Sequence, residues 1–189
     1  MAEHVCPWWM GYLLILPLRR LYENPTRILG PFVEPGMTVL DVGCAMGFFS
    51  LPLARLTGEN GRVVCVDLQP RMIRTLERRA KRAGLVDRIE SRVCTETSLT
   101  VEDMTGEIDF ACVFHVVHEV PDASVLMAEL YEVLRTGARM LVAEPAGHIS
   151  VAEFAVTVAL AEGAGFEIEA RPVLKRSHAV LLCKPSNPG

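Results

Sequence analysis

Short apolar runs alternate with longer amphipathic segments along most of the chain, from about residue 37 to residue 183. A short apolar run predicts a strand that is buried on both faces, whereas apolar residues at helical spacing predict a helix with one buried face. The runs predict strands at residues 38–42, 62–67, 88–93, 108–114, 138–143, 166–170 and 179–183. The intervening segments predict helices at residues 47–56 and 70–83, from Pro121 onward, and after a capping-box pattern at Ser150 and Glu153.

The order of these elements predicts the architecture. Strands that alternate with helices form a parallel sheet with helices on both faces, because right-handed crossovers place each helix against the sheet. The last two strands have no helix between them, which predicts an antiparallel pairing. We therefore expect a doubly wound α/β domain with a mostly parallel, seven-stranded sheet and one antiparallel strand. In such sheets, ligands bind at the carboxyl ends of the strands, near the point where the strand order reverses.

The first 35 residues do not follow this alternation. We interpret residues 1–35 as a helical extension that acts as a lid or cap, and residues 36–189 as the α/β domain. A short helix is expected to begin after Asn24, with Pro25 in its first turn, and to end at Gly30. The apolar run from Trp8 to Leu18 is too short to span a bilayer and lacks the flanks of a signal peptide, so no membrane anchor is expected.

Composition narrows the class of function. The 189 residues fit one domain, and half of them are hydrophobic. The net charge of −4 disfavours a nucleic-acid partner, and the basic residues between positions 71 and 82 are interpreted as a solvated helix face. The six cysteines show neither a CxxC spacing nor a zinc-finger pattern. We therefore expect no metal site, reduced thiols and a cytoplasmic location.

The turn after the first predicted strand, residues 41–47, reads Asp-Val-Gly-Cys-Ala-Met-Gly. Small residues at positions 43, 45 and 47 let the backbone turn sharply and approach a ligand closely. Asp67 ends the second predicted strand, where a carboxylate can accept both hydroxyls of a ribose. NAD and S-adenosylmethionine both carry such a ribose, so this spacing leaves the two cofactors open.

The order of the small residues favours S-adenosylmethionine. A dinucleotide loop usually reads G-x-G-x-x-G and holds a pyrophosphate at a helix N-terminus, and the sequence Gly-Cys-Ala-Met-Gly lacks that arrangement. S-Adenosylmethionine needs no pyrophosphate site, and Asp41 can face its positive charges. A nucleotide-dependent oxidoreductase and a non-catalytic module that binds S-adenosylmethionine remain as alternatives.

Residues 38–47 resemble the first motif of class I, Rossmann-like S-adenosylmethionine-dependent methyltransferases, and residues 66–67 are similar to their ribose-binding acidic motif. Residues 108–114, 118–122 and 134–138 resemble the branch with ubiquinone-type and other small-molecule methyltransferases. The resemblance spans residues 36–184 and implies S-adenosylmethionine as the cofactor and S-adenosylhomocysteine as its product. It implies a cofactor site formed by Asp41, Gly43, Cys44, Ala45, Gly47, Asp67, Leu68, Thr95, Glu96 and His115.

Three residues depart from the pattern of this family. Ala45 replaces the frequent middle glycine, which is tolerable if the backbone angle is unstrained. Thr95 stands where the family often has an aspartate near the adenine amine, and Glu119 replaces a common second histidine.

Methyl transfer from a sulfonium relies mainly on positioning and desolvation, and it needs a general base only if the acceptor arrives protonated. The candidates for catalysis at the predicted strand ends are His115, His118, Glu144 and His148, with Glu119 beside them. A metal site of two histidines and a glutamate is a weaker alternative. The candidates for a lid that walls the acceptor are Cys6, Trp8, Trp9 and Tyr12. We expect a small-molecule acceptor, because the chain has almost no insertions that would grip a macromolecule, and a monomer or homodimer.

Overall fold

A seven-stranded sheet forms the centre of the computed structural model, which describes residue 19 and residues 23–186. The strands are β1 (Thr38–Val42), β2 (Arg62–Asp67), β3 (Ile89–Val93), β4 (Ile108–Phe114), β5 (Leu134–Pro145), β6 (Glu167–Ala170) and β7 (Ser177–Cys183). Their order across the sheet is β3-β2-β1-β4-β5-β7-β6. Strand β7 runs antiparallel to the other six described strands, so the predicted sheet with one antiparallel strand is confirmed.

The described residues form five α-helices: α1 (Pro25–Leu29), which precedes β1, and α2 (Ser50–Leu56), α3 (Pro70–Ala83), α4 (Ala123–Val133) and α5 (Val151–Gly163), which lie between strands. The predicted signals at α3 are confirmed, since Pro70 opens the helix and Gly84 ends it with a left-handed φ of 66°. Among the described residues, none of these helices has the length and apolar character that crossing a membrane requires.

Two helix starts differ from the prediction. Helix α2 begins at Ser50 and not at residue 47, because the preceding residues form a turn in which Gly47 has a φ of 80°. Helix α4 begins at Ala123 and not at Pro121. The carboxylate of Asp122 accepts the main-chain N–H groups of Ser124 and Val125 and therefore acts as the N-cap.

The two faces of the sheet carry separate hydrophobic layers. On one face, β1, β2 and β4 pack against α1, α2 and α3, through buried residues such as Leu29, Leu53 and Leu76. On the other face, α4 and α5 cover β4, β5 and β7, through residues such as Met127 and Phe154. The predicted doubly wound arrangement is confirmed, since helices lie on both faces of the sheet.

The strand order reverses at β1, which pairs with β2 on one side and with β4 on the other. The loops that leave the carboxyl ends of these strands therefore diverge, and a crevice opens between them. This is the edge at which the sequence predicts a ligand.

The N-terminal extension is described only in part. Helix α1 begins at Pro25 and ends before Gly30, as predicted, and the side chain of Asn24 caps it by accepting the N–H of Arg27 at 3.2 Å. The predicted lid residues Cys6, Trp8, Trp9 and Tyr12 lie outside the described residues.

Candidate active site

A cavity of about 340 Å³ opens at the carboxyl ends of the central strands. We name it the inner cavity. Its wall includes residues 43–45 after β1, 67–69 after β2, 94–99 after β3 and 114–116 after β4, with part of α4 on the far side. The volume lies within the range of small-molecule sites in proteins.

The carboxylate of Asp67 is fixed at the end of β2. Its Oδ2 accepts the N–H of Ala45 at 2.9 Å, and its Oδ1 accepts the N–H of Gln69 at 2.8 Å. Burial raises the pKa of Asp67 above its ordinary value, while the two main-chain donors oppose that rise. Each carboxylate oxygen retains a further lone pair, so the group can still accept hydroxyls from a ligand in the inner cavity.

The turn after β1 brings main chain to the cavity wall. Gly43 has a φ of 67°, and an added Cβ would lie 2.8 Å from Val116 Cγ2. Ala45 also takes a left-handed φ, of 47°, which costs an L-residue about 1–2 kcal/mol. The condition under which Ala45 would be an unstrained replacement for glycine is therefore not met. The strained turn is held by the bond from Ala45 to Asp67.

Cys44 completes this part of the wall, and its side chain is 4% exposed. Burial raises the pKa of the Cys44 thiol well above its ordinary value. A neutral thiol is a weak nucleophile, so Cys44 contributes shape and not reactivity.

The structure does not bring Asp41 and Gly47 to the wall of the inner cavity. Asp41 is buried and accepts the hydroxyl of Ser50 at 2.5 Å. Burial raises its pKa to about 7, against the opposing effect of Ser50. Gly47 makes room for a neighbour, because an added Cβ would lie 2.4 Å from Leu76 Cδ1. Both residues support the turn from beneath.

The loop after β3 places Thr95 and Glu96 on the wall, as the resemblance implies. The hydroxyl of Thr95 is engaged within the loop, where it accepts the N–H groups of Thr97 at 3.3 Å and Ser98 at 3.0 Å. The main chain of Thr95 donates to the carbonyl of Ser98 at 3.0 Å. Hydrogen bonds within the loop therefore fix the conformation of this part of the cavity wall.

A second, larger cavity of about 1140 Å³ adjoins the first. We name it the outer cavity. It lies between α1, the end of β5 and the segment that joins β6 to β7, and His148 is one of its lining residues. Arg19 and His115 line both cavities, so they form the partition between them.

His115 has a left-handed φ of 56°, and such strain at a non-glycine residue is typical of functional sites. Its Nε2 shares a hydrogen bond of 2.8 Å with Ser177 Oγ and lies 3.7 Å from Glu23 Oε1. Burial lowers the pKa of His115 below its ordinary 6.5, although Glu23 opposes that shift. This shift favours the neutral form of the imidazole. Because serine and carboxylate both meet the same ring nitrogen, these three groups do not form a hydrolytic triad.

His118 and Glu144 form a pair behind the loop that follows β4. The Nδ1 of His118 hydrogen-bonds Glu144 Oε2, and the Oε1 of Glu144 accepts the N–H groups of Val116 at 3.1 Å and Val117 at 2.9 Å. The bond from Glu144 raises the pKa of His118. Among the described lining residues, neither His118 nor Glu144 borders either cavity, so the pair fixes the loop that carries His115.

Some wall residues carry no motif that the sequence analysis recognised. Arg19 lies 4.2 Å from the ring centroid of Phe48, and its Nε donates to the Glu23 carboxylate at 2.5 Å. In the sequence, Arg19 is marked only as a cation that follows the apolar run ending at Leu18. Phe48 and Phe49 lie in a segment whose apolar pattern indicates helix packing equally well.

Comparison with known proteins decides the family. A family model described as a methyltransferase domain matches residues 33–169. The chain belongs to this methyltransferase family. It is also 30% identical, over 135 residues, to the ubiquinone/menaquinone biosynthesis C-methyltransferase UbiE of Klebsiella pneumoniae, a match that covers 71% of this chain and 53% of the relative. The chain thus spans about half the length of the curated relatives it matches.

Solved structures with the same fold extend over nearly the whole chain. A structure of an S-adenosylmethionine-dependent methyltransferase from Aquifex aeolicus has a TM-score of 0.86 at 22% identity and covers 95% of this chain and 100% of its own. The [4+2]-cyclase SpnF has a TM-score of 0.72 at 16% identity and covers 86% and 81%. The predicted Rossmann-like fold and the predicted membership of the methyltransferase family are confirmed.

Proposed function

We propose that this chain transfers a methyl group from S-adenosylmethionine to a small-molecule acceptor. The observation that carries the proposal is the carboxylate of Asp67, which two main-chain N–H groups hold at the end of β2 and which lines a cavity of about 340 Å³. A carboxylate at this position accepts the hydroxyls of a ribose. The proposal adds an activity and an acceptor class to the family membership.

The residues of the inner cavity fit the cofactor. Asp67 would hold the ribose, Thr95 and Glu96 border the same side, and the turn at Gly43 lets the main chain approach the ligand closely. Arg19 would face the carboxylate of the amino-acid tail, since it lines the same cavity beside Phe48. The bound cofactor supplies the activated methyl group, and the protein supplies position and exclusion of water.

The predicted catalytic residues take different roles in this proposal. His115 lies on the partition, so it is the residue that would touch the acceptor and take its proton, because the neutral imidazole is a base at pH 7. His118 and Glu144 would position the loop of His115. His148 would border the acceptor in the outer cavity.

A small acceptor is supported by the outer cavity, which is a concave space next to the inner one. UbiE of Klebsiella pneumoniae is named for quinone biosynthesis, which is also small-molecule chemistry. Helix α1 lines the outer cavity through Arg27 and Ile28, which supports a covering role for the extension at residues 1–35. The described cysteines are free thiols, in keeping with a reducing, cytoplasmic location.

Calorimetric titration of the purified chain with S-adenosylhomocysteine, S-adenosylmethionine and NAD tests the cofactor. We expect the two sulfur compounds to bind at one molecule per chain and NAD to give no binding heat. Binding of NAD without binding of either sulfur compound would contradict the proposal and favour an oxidoreductase. Binding of S-adenosylmethionine without release of S-adenosylhomocysteine across a broad acceptor panel would favour a non-catalytic module.

A further inference from the structure

The outer cavity combines apolar walls with a cationic rim. Its apolar residues include Ile28, Phe32 and Leu174. The arginines and lysines that line it are Arg19, Arg27, Lys175 and Arg176. We call Arg27, in α1, and Lys175, in the segment between β6 and β7, the rim cations. A site with this composition suits a ligand that has an apolar body and a polar group at one end.

The two rim cations differ from several arginines elsewhere in the described part of the chain. Arg62, Arg92 and Arg135 each form a salt bridge with a carboxylate. The side chains of Arg27 and Lys175 have no hydrogen-bond or ion-pair partner among the described residues, although the whole chain carries a net charge of −4. Their positive charge is therefore available to a ligand.

Acidic residues do not neutralise this rim. Glu23 is the one carboxylate among the described residues that line the outer cavity, and its Oε2 is bound by Arg19 at 2.5 Å. The charge facing the cavity is thus positive in excess. An anionic group gains charge-assisted hydrogen bonds there, and a neutral or cationic group does not.

The outer cavity lies where a methyl acceptor would have to bind, next to the proposed cofactor site. Arg19 and His115 line both cavities, so a molecule that fills the outer one reaches the partition beside the inner one. We propose that the outer cavity binds an amphiphilic methyl acceptor that carries a phosphate or carboxylate, whose anionic group is held by Arg27 and Lys175. This inference rests on the proposed methyltransferase function.

Calorimetry with simple amphiphiles tests the recognition apart from catalysis. The full chain, saturated with S-adenosylhomocysteine, is titrated with octyl phosphate, octanoate, octanol and inorganic phosphate. The double variant Arg27→Gln, Lys175→Gln is compared with Arg74→Gln, Lys81→Gln. This control removes one arginine and one lysine from the exposed face of α3, and neither residue lines either cavity.

We expect octyl phosphate or octanoate to bind about tenfold more tightly than octanol, and the rim variant to lose at least that factor. The stronger of the two anions identifies the charged group. The control variant should bind as the unaltered chain does. Equal affinity for octanol and both anions, equal losses in both variants, binding of inorganic phosphate as tight as that of octyl phosphate, or no binding of any amphiphile would overturn the inference.

The two proposals fail separately. If S-adenosylhomocysteine does not bind, the proposed function fails whatever the amphiphiles do, and the same titrations are then run without it. If S-adenosylhomocysteine binds and the rim variant loses no anion affinity, only the inference about the acceptor fails. The rim variant is expected to keep its affinity for S-adenosylhomocysteine within about twofold, because Arg27 and Lys175 do not line the inner cavity.

Discussion

The inner and outer cavities share a partition but are built in different ways. The inner cavity is shaped by the main chain, with Asp67 bound to two N–H groups and with left-handed residues at Gly43 and Ala45. The outer cavity presents side chains such as Arg27 and Lys175, which have no partner among the described residues. The first is organised before its ligand arrives, whereas the second leaves its charged groups to be ordered by the ligand.

This difference in construction matches the two proposed ligands. The proposed cofactor would bind the preorganised inner cavity, and the proposed acceptor would bind the outer cavity. A wall built from strained, internally bonded backbone recognises one shape, and altering it disturbs the fold as well as binding. A wall of exposed side chains can change its specificity at little cost in stability, since surface substitutions usually alter stability by less than about 0.5 kcal/mol. Substitutions in and beneath the wall of the inner cavity should therefore change the stability of the fold.

The largest effect is expected beneath the inner cavity, at Asp41. Its pKa rises from 3.8 to about 7 in the folded chain, because the carboxyl is buried. Between these values the folded state binds one more proton than the unfolded state, so the free energy of unfolding falls as the pH rises. From about pH 4.5 to about pH 7.5 this group should cost the chain about 3 kcal/mol of stability.

Urea unfolding at both pH values checks this prediction. Asp41→Asn should lack that pH-dependent loss, so its stability relative to the unaltered chain rises with pH. The control is Asp87→Asn, which removes an exposed carboxylate and should leave the pH profile unchanged. If the stabilities of Asp41→Asn and the unaltered chain change with pH in parallel, then burial does not raise the pKa of Asp41 as stated here.

Gly47 tests whether the turn is held by packing from below. Gly47→Ala adds a Cβ 2.4 Å from Leu76 Cδ1 at a φ of 80°, while Gly84→Ala meets nothing within 4 Å at a φ of 66°. Strain should cost both variants about 1 kcal/mol, and overpacking should cost Gly47→Ala about 2 kcal/mol more. Urea unfolding measures the difference. Equal losses in the two variants would mean that close packing against Leu76 is not what position 47 requires.

The next prediction concerns His118 and Glu144, the pair that lies behind the loop carrying His115. The bond from Glu144 raises the pKa of His118, so Glu144→Gln should lower that pKa while its amide oxygen still accepts the N–H groups of Val116 and Val117. Because the folded pKa is the higher one, this pair stabilises the fold at low pH, and its contribution is lost as the pH rises through that pKa. NMR titration of the histidine ring measures the change.

Ser177→Ala is the matched control for that titration, because Ser177 bonds His115 and not His118. It should alter the titration of His115 and leave that of His118 in place. If Glu144→Gln leaves the pKa of His118 where it was, then the bond from Glu144 is not what raises that pKa.

The smallest effect is expected at Ala45. Its φ of 47° is strained for alanine and free for glycine, so Ala45→Gly should stabilise the chain by up to about 1 kcal/mol, less the entropy that glycine adds to the unfolded state. Thermal unfolding measures this change. A loss of stability in Ala45→Gly would indicate that the methyl group makes contacts worth more than the strain.

The same contrast explains what the sequence could predict. The bounds of β1, β2 and β4 were predicted in full, because each is a short segment in which apolar residues outnumber the polar ones. Strand β5 begins four residues before its predicted start, at Leu134, because the polar residues 135–137 hide an extended segment. Local patterns report burial well, but they do not report strand pairing with a distant partner.

The residues of the site also differ in how well the sequence predicts them. Asp67 and Gly43 were recognisable because one continuous stretch builds the turn and the next strand ends in the carboxylate. The outer cavity joins segments around residues 27, 145 and 175, which only the folded sheet brings together. Gly47 shows the converse, since a small residue in a motif can make room for Leu76 as easily as for a ligand.

The affinity of the chain for S-adenosylhomocysteine tests the central claim most directly. Calorimetry should compare the unaltered chain with Asp67→Ala, Asp67→Asn and the exposed control Asp87→Ala, with circular dichroism to verify that each is folded. Loss of two charge-assisted hydrogen bonds predicts about a hundredfold weaker binding for Asp67→Ala, a smaller loss for Asp67→Asn and none for the control. A folded Asp67→Ala variant that binds S-adenosylhomocysteine as tightly as the unaltered chain would contradict the account.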